Sequence, residues 1–297
     1  MAGLFNADEL RRGGAFMGYT SAGFRPEAPI AAVIPVPYDR TSTWQKGADQ
    51  GPRALIEASA AVEEYDIQTQ TNPVRQGIAT LTDVVCDQGP EQLAELVQER
   101  VGRVMDAGVM PLVLGGEHSV TIGAVRAAAE RSEDLTVLQI DAHTDLREEY
   151  EGSPCNHACV MARAREVAKI VQVGIRAIDA GELEGMDRSR VFWAHEIVDA
   201  PDESWMDGVC ALLTRNVYIT IDVDGLDPSV MAATGTPEPG GLTWGQVNRL
   251  LAKVCARSRV VGADVVELCP RPSLHACDFL AAKLAYRVVA MARAALS

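Results

Sequence analysis

The chain has 297 residues, 47% of them hydrophobic and 23% charged, which supports a large buried core and excludes extended disorder. Its formal net charge of -14 argues against a nucleic-acid partner, because phosphate binding needs clustered Lys and Arg. The same acidic excess keeps a protein soluble and weakly favours cationic small molecules.

Residues 1–29 carry no functional signal and are read as an N-terminal arm suited to subunit contacts. Their opening, MAGLFNADELRRGGAF, lacks the basic start and apolar stretch of a signal peptide. From residue 30 onward, short apolar runs alternate with longer amphipathic ones. In chain order the pattern predicts strand 30–36, helices 51–64 and 90–107, strand 110–114, helix 121–130 and strand 136–140. Strands 170–173 and 191–194, helix 202–213, strand 216–222, helix 244–257, strand 260–266 and helix 278–295 complete it. Apolar strands with little polar interleaving, separated by helices, predict a parallel sheet covered on both faces. No internal repeat or linker divides the chain, and no apolar run approaches the roughly 20 residues that span a bilayer. Cys86, Cys155, Cys159, Cys210, Cys255, Cys269 and Cys277 are odd in number and scattered. That usage reads as reduced thiols of a cytoplasmic protein rather than a disulfide framework.

In a parallel sheet the ligand site lies beyond the carboxyl ends of the strands. Three polar clusters fall there. Gly115-Gly116-Glu117-His118-Ser119 follows strand 110–114, its glycines allowing a sharp turn that leaves a histidine at the mouth of the sheet. Asp141-Ala142-His143-Thr144-Asp145 follows strand 136–140, and Asp222-Val223-Asp224 closes strand 216–222. Alternate residues of an extended segment share a face, so Asp141, His143 and Asp145 can converge, as can Asp222 and Asp224. Any one cluster alone reads equally as a polar loop; their joint placement at separate strand ends points to a site. Four carboxylates gathered without cations would repel one another and resist ionisation, and two divalent ions resolve that repulsion. An oxygen-rich set with one imidazole per ion suits Mn²⁺ better than Zn²⁺, with Mg²⁺ as the alternative.

With these clusters go Pro37-Tyr38-Asp39, Gly51-Pro52-Arg53-Ala54, the loop from Gly235 to Leu242 and Asp264-Val265-Val266-Glu267. Together and in this order they make the chain resemble the ureohydrolases, the family of arginase, agmatinase and related guanidino hydrolases. The resemblance runs from about Pro35 to Arg271. It implies a single three-layer α/β catalytic domain over residues 30–297, with a mostly parallel, arginase-like eight-stranded sheet and two Mn²⁺ per subunit. A homo-oligomer, trimer or hexamer, is also implied. Motif matching would give one ion His118 and Asp141 and the other His143 and Asp222, with Asp145 and Asp224 shared by both. His157 matches the family's catalytic histidine, and Glu267 the acid that receives the guanidinium.

The chemistry is consistent with that set. A guanidinium is resonance-stabilised and needs a strong nucleophile, which two metals supply by lowering the pKa of a bridging water. Glu267 would pair with the guanidinium, while Asp145 and His157 would carry protons. Competing readings remain open at individual positions. Glu267 could cap a helix or pair with Arg271, and Cys155, His157 and Cys159 could form a thiolate zinc site. His195 and His275 read as structural.

Arginases must hold an α-carboxylate and α-amine and typically carry Asn where this chain has Arg147, a departure that favours agmatinase. Arg147 could instead grip a carboxylate tail. Glu149, with Glu148 and Glu151, could receive the distal ammonium of agmatine, or could belong to a solvated loop. Cleavage of agmatine to putrescine and urea, in polyamine biosynthesis, is therefore the expected activity. Guanidinobutyrase, guanidinopropionase, formiminoglutamase and arginase are the alternatives. A one-zinc deacetylase has too few carboxylates to match, and a non-catalytic metal-binding homologue would have little use for the full set.

Overall fold

The alternating pattern resolves, in a computed structural model describing residues 4–6, 8–11, 13–18 and 29–295, into one eight-stranded sheet. Its strands are β1 (Ala31–Val36), β2 (Ile78–Thr80), β3 (Met110–Gly115), β4 (Leu135–Ile140), β5 (Lys169–Ile175), β6 (Val191–Trp193), β7 (Asn216–Asp222) and β8 (Arg259–Val266). They lie in the order β2-β1-β3-β8-β7-β4-β5-β6, and every pairing is parallel.

Two-residue periodicity divides each strand between two cores. In β1, Ala31 and Val33 face one side and Ala32, Ile34 and Val36 the other; in β7, Val217, Ile219 and Ile221 oppose Tyr218. The first side is covered by helices Gly51–Ser59, Trp205–Leu212, Trp244–Arg257 and His275–Ala294, the second by Pro90–Asp106 and Val120–Arg131. With both faces buried, the strands read as unbroken apolar runs, and each large side chain fully removed from water contributes about 1.5–3 kcal/mol.

Two expectations are adjusted. Strand β2 was not expected; it has only three residues at the sheet edge, too few for a periodic signal. The first helix ends at Ser59 rather than 64, its last turn closing through Ala60 N–H to Glu57 O. The described parts of the expected arm lie on the chain's own fold. Leu10 bridges Leu81 beyond β2, and Phe16 and Met17 are buried beside helix Gly51–Ser59, with Met17 N–H donating to Ser59 Oγ at 2.7 Å. The rest of the arm lies outside the described residues. Among those described, no helix is long and apolar enough to cross a membrane, and all seven cysteines are free thiols.

The strand order positions the chemistry. The clusters follow β3, β4 and β7, and Glu267 follows β8; these four strands are consecutive in the sheet, as β3-β8-β7-β4.

Candidate metal centre

At the end of β3 the chain turns back so tightly that a Cβ on Gly116 would lie 1.9 Å from Tyr38 O, so only glycine fits. Gly116 N–H and Glu117 N–H donate to Val36 O and Tyr38 O, pinning the turn to the exit of β1. The turn sends His118 inward, where its Nδ1 lies 3.0 Å from Asp145 Oδ2, 3.1 Å from Asp141 Oδ2 and 3.5 Å from Asp222 Oδ2. His143 Nδ1 lies 3.0 Å from Asp224 Oδ2 and 3.6 Å from Asp141 Oδ1. Five of the six residues expected to hold metal form two groups able to hold an ion, His118, Asp141 and Asp145, and Asp141, His143 and Asp224, and the sixth, Asp222, lies against the first through His118.

The expectation was that Asp145 and Asp224 are shared by both ions; the side-chain distances put a different residue between the two histidines. Asp141 is the shared residue, with one oxygen toward each histidine, whereas Asp145 sits with His118 alone and Asp224 with His143 alone. Spacing places residues on a common face, but which oxygen reaches which nitrogen depends on how β4 and β7 pair. Asp141 leaves β4 at the middle of the cluster, where Ala142 N–H donates to Asp224 Oδ1 across the β4–β7 seam.

The hydrogen bonds around His118 test whether a cation fits. Thr220 Oγ1 lies 2.8 Å from His118 Nε2 and donates its own proton to Asp264 Oδ1 at 2.6 Å. Asp264, fully buried, also accepts from Tyr218 Oη and Thr121 Oγ1. Thr220 is thereby an acceptor for Nε2–H, and Nδ1 is the nitrogen that faces the carboxylates. That buried Nδ1 has no hydrogen-bond partner. A lone pair directed at carboxylate oxygens calls for a positive charge between them, and the donor set fits a hard divalent ion.

The titration shifts tell the same story with a proton in the cation's place. Burial would lower both histidines, but Asp141 and Asp145 hold His118 well above its ordinary value, and Asp224 and Asp141 raise His143 to about 12. Burial and the Asp141 charge push Asp145 up to about 6; burial, Asp224 and Asp141 push Asp222 well above the carboxylate range. Asp141 moves down because the positive charge that both histidines carry when protonated outweighs its burial.

Glu267 lies beside this cluster. Its Oε1 accepts His118 N–H at 2.7 Å, and its own N–H donates to Gly116 O. Burial and the charge of Glu117 raise it well above the usual range. Glu267 and Asp145 both adopt left-handed backbone conformations, with φ of 64° and 50°, which cost energy for such residues and cluster at functional sites. Arg271 pairs with Gln45, not with Glu267.

His157 stands across a cavity of about 310 Å³ lined by both histidines of the cluster, Asp145, Asp222, Asp224 and Glu267. Burial, then the positive charges on His118 and His143, lower it to about 4, so the ring is neutral near pH 7. Cys155 and Cys159 are buried beside it and belong to neither metal-capable group among the described residues. Burial raises Cys159 to about 12, which keeps the thiol protonated and disfavours a thiolate zinc site.

At the rim, Arg147 pairs with Asp179 at 3.2 Å and lies 4.4 Å from the Tyr150 ring centroid, so its charge is already engaged. Glu149 does not line the metal cavity as expected. It lines an adjoining one of about 600 Å³, because the loop after Asp145 turns away and Glu148 is drawn to Arg163 and Arg165. Besides the cluster and Glu267, the acids that line the metal cavity are Asp179 and Glu182, which no motif included, and Glu238 of the Gly235–Leu242 loop, to which no role was given. Glu182 is a brace, accepting from Thr144 Oγ1, Leu146 N–H and Asp179 N–H. Arg176 is another, donating to the carbonyls of Gly174, Asp224, Leu226 and Glu238. The available signal was weak: both follow β5, a strand end with no histidine to draw the eye.

Comparison with known proteins agrees with this geometry. Residues 30–291 match the arginase family. The chain is 37% identical over 268 residues to the N(1)-aminopropylagmatine ureohydrolase of Synechocystis sp., covering 86% of this chain and 87% of that one. It is 31% identical over 283 residues to the agmatinase of Pyrococcus horikoshii, covering 92% and 98%. The agmatine ureohydrolase of Thermoplasma volcanium superposes with a TM-score of 0.83 at 30% identity, over 98% of this chain and 96% of that one. The chain belongs to the arginase family and is a ureohydrolase.

Proposed function

We propose that the chain hydrolyses the guanidino group of agmatine, giving putrescine and urea, with two Mn²⁺ ions per subunit. The observation that carries this reading is the gathering of two histidines and four aspartates in one cluster that opens, beside a buried carboxylate, Glu267, on one cavity. His118, Asp141, Asp145 and Asp222 would hold one ion, and His143 and Asp224 the other, with Asp141 between them. Bound there, the ions supply the nucleophile by lowering the pKa of a water.

The chain's own residues do the rest. Glu267 already spends Oε1 on His118 N–H, leaving Oε2 to accept guanidinium N–H groups and orient the central carbon. A cation beside Glu267 also removes the burial cost that raises its pKa. Asp145 takes a proton from the attacking water, and His157 delivers one to the departing amine. Urea and the amine together account for the guanidinium and one water.

The tail is read from the rim. Arg147 is engaged by Asp179, so a carboxylate tail finds no free cation there, whereas Glu238 suits an ammonium. A second reading, N(1)-aminopropylagmatine, is favoured by the Synechocystis relative and by the adjoining cavity, which shares Arg147, Asp179 and Glu182 with the metal cavity. The test is urea release by Mn²⁺-reconstituted enzyme from agmatine, N(1)-aminopropylagmatine, arginine and 4-guanidinobutyrate. Turnover confined to the two cationic-tail substrates supports the reading, and their ratio selects between them; turnover of arginine or 4-guanidinobutyrate alone sinks it. A cytoplasmic homo-oligomer with roles in polyamine biosynthesis completes the proposal.

A further inference from the structure

Glu117 is fully buried next to the metal cluster and faces away from it. Its Oε2 accepts Thr41 N–H at 2.6 Å and Ser42 N–H at 2.8 Å; its Oε1 accepts the hydroxyls of Ser119 at 2.6 Å and Thr41 at 2.7 Å. With these donors and the Ser42 hydroxyl directed at it, this carboxylate acts as an acceptor only.

The consequence falls on Thr41. Its single hydroxyl proton is committed to Glu117, so toward any other group Oγ1 can only accept. Two groups of His157 meet that oxygen: the backbone N–H at 3.0 Å and ring Nδ1 at 3.1 Å. The first fixes the start of the short turn His157–Cys159, whose N-cap Asn156 accepts Ala158 N–H. The second settles the ring. If Nδ1 can only donate, it carries the ring proton, and in a neutral imidazole the lone pair then lies on Nε2.

We propose that Thr41, itself oriented by Glu117, is a positioning residue that holds His157 in its Nδ1–H form, leaving Nε2 as the proton-exchanging atom for the cavity. Its kinetic consequence rests on the reading of His157 as a proton carrier; the tautomer does not. During turnover Nε2 takes up the proton that Asp145 removed from the attacking water and surrenders it to the leaving amine, while Nδ1 keeps its own, so both residues return to their starting state.

Thr41→Val keeps the backbone N–H contact to Glu117 and the shape of the side chain but removes the hydroxyl, and Thr41→Ser restores it. In Mn²⁺-loaded enzyme, Thr41→Val is expected to lower kcat by about 10- to 100-fold, with KM and metal content unchanged and Thr41→Ser close to wild type. Because Thr41 acts through His157, adding Thr41→Val to His157→Asn should cost nothing further. The tautomer is read separately by long-range ¹H–¹⁵N NMR on the diamagnetic Mg²⁺-loaded protein, the His157 signals being those lost in His157→Asn. Wild type and Thr41→Ser should show a protonated Nδ1, and Thr41→Val a mixture. A protonated Nε2 in wild type overturns the proposal, as does an undiminished effect of Thr41→Val in the His157→Asn background. If wild type releases no urea from any guanidino compound, the proposed function fails, and the nitrogen shifts alone decide Thr41.

Discussion

Asp141 bears on both histidines of the cluster at once, and that sets it apart from the other aspartates. Replacing it by Asn removes a charge that both ions would share, so Asp141→Asn should lose both. Asp145→Asn and Asp224→Asn each disturb one histidine's group and should lose one. Loss of an outer-sphere partner already costs about 10- to 100-fold in metal affinity or activity, so each of the three should fall further than that in urea release. Metal content by plasma mass spectrometry distinguishes the cases: equal stoichiometry in all three variants would refute the sharing role of Asp141. His157 touches neither group, so His157→Asn should keep both ions and lose about 10²- to 10⁴-fold in kcat, the span of general acid–base catalysis. Metal loss in that variant would make His157 a ligand or a structural residue instead.

Between elements, a single side chain ties the ends of β5 and β7, which flank β4, to the loop over the cavity. Arg176 joins them with one planar guanidinium, reaching the carbonyls of Gly174 in β5, of Asp224 and Leu226 beyond β7, and of Glu238 on the loop. Lysine keeps the charge but cannot donate in several fixed directions. Arg176→Lys should therefore cost roughly 1–3 kcal/mol in stability and loosen the ion held by His143 and Asp224 more than the one held by His118. Denaturant unfolding and metal titration check the two halves; unchanged affinity at both sites would make Arg176 a stability element only. Arg176 also marks the limit of what the sequence reveals. Repeated apolar runs announced seven strands, and the D-x-H-x-D and D-x-D spacings announced a cluster, because period and alternation are local properties. The engagement of Arg147 by Asp179 and the contact of Thr41 with His157 join residues 32 and 116 positions apart, and the sharing of Asp141 depends on His118, which comes from a different strand end. They follow from strand order and from loops folding over one another, which no local pattern encodes. Glu149 illustrates the reverse error: it is close in sequence to the cluster and turned to another cavity.

At the scale of the whole molecule, the cluster is a burden until a cation occupies it. Burial and mutual charge raise Asp145, Asp222 and Glu267 above their unfolded values, and neighbouring aspartates raise His118 and His143. Groups raised on folding bind more protons in the native state than in the unfolded chain, so the stability they contribute is present at low pH and is lost as pH rises. For the carboxylates the loss begins near the unfolded value of about 4 and has run its course for Asp145 above about 6. For His143 it begins near 6.5 and extends toward about 12. His157 works in the opposite sense between about 4 and 6.5, being depressed, and Asp141 does so only in more acid solution. The raised groups outnumber these, so the metal-free protein should lose stability between pH 6 and pH 8. A bound divalent ion replaces those protons, and its affinity therefore rises with pH over the same interval. At a hundredfold excess over its dissociation constant, an ion adds about 2.7 kcal/mol. The gap in Tm between Mn²⁺-loaded and chelator-treated protein should consequently widen from pH 6 to pH 8. A gap that stays constant or narrows would mean that the carboxylates and histidines are not displaced from their protons by metal, and that the cluster's charge is balanced in some other way.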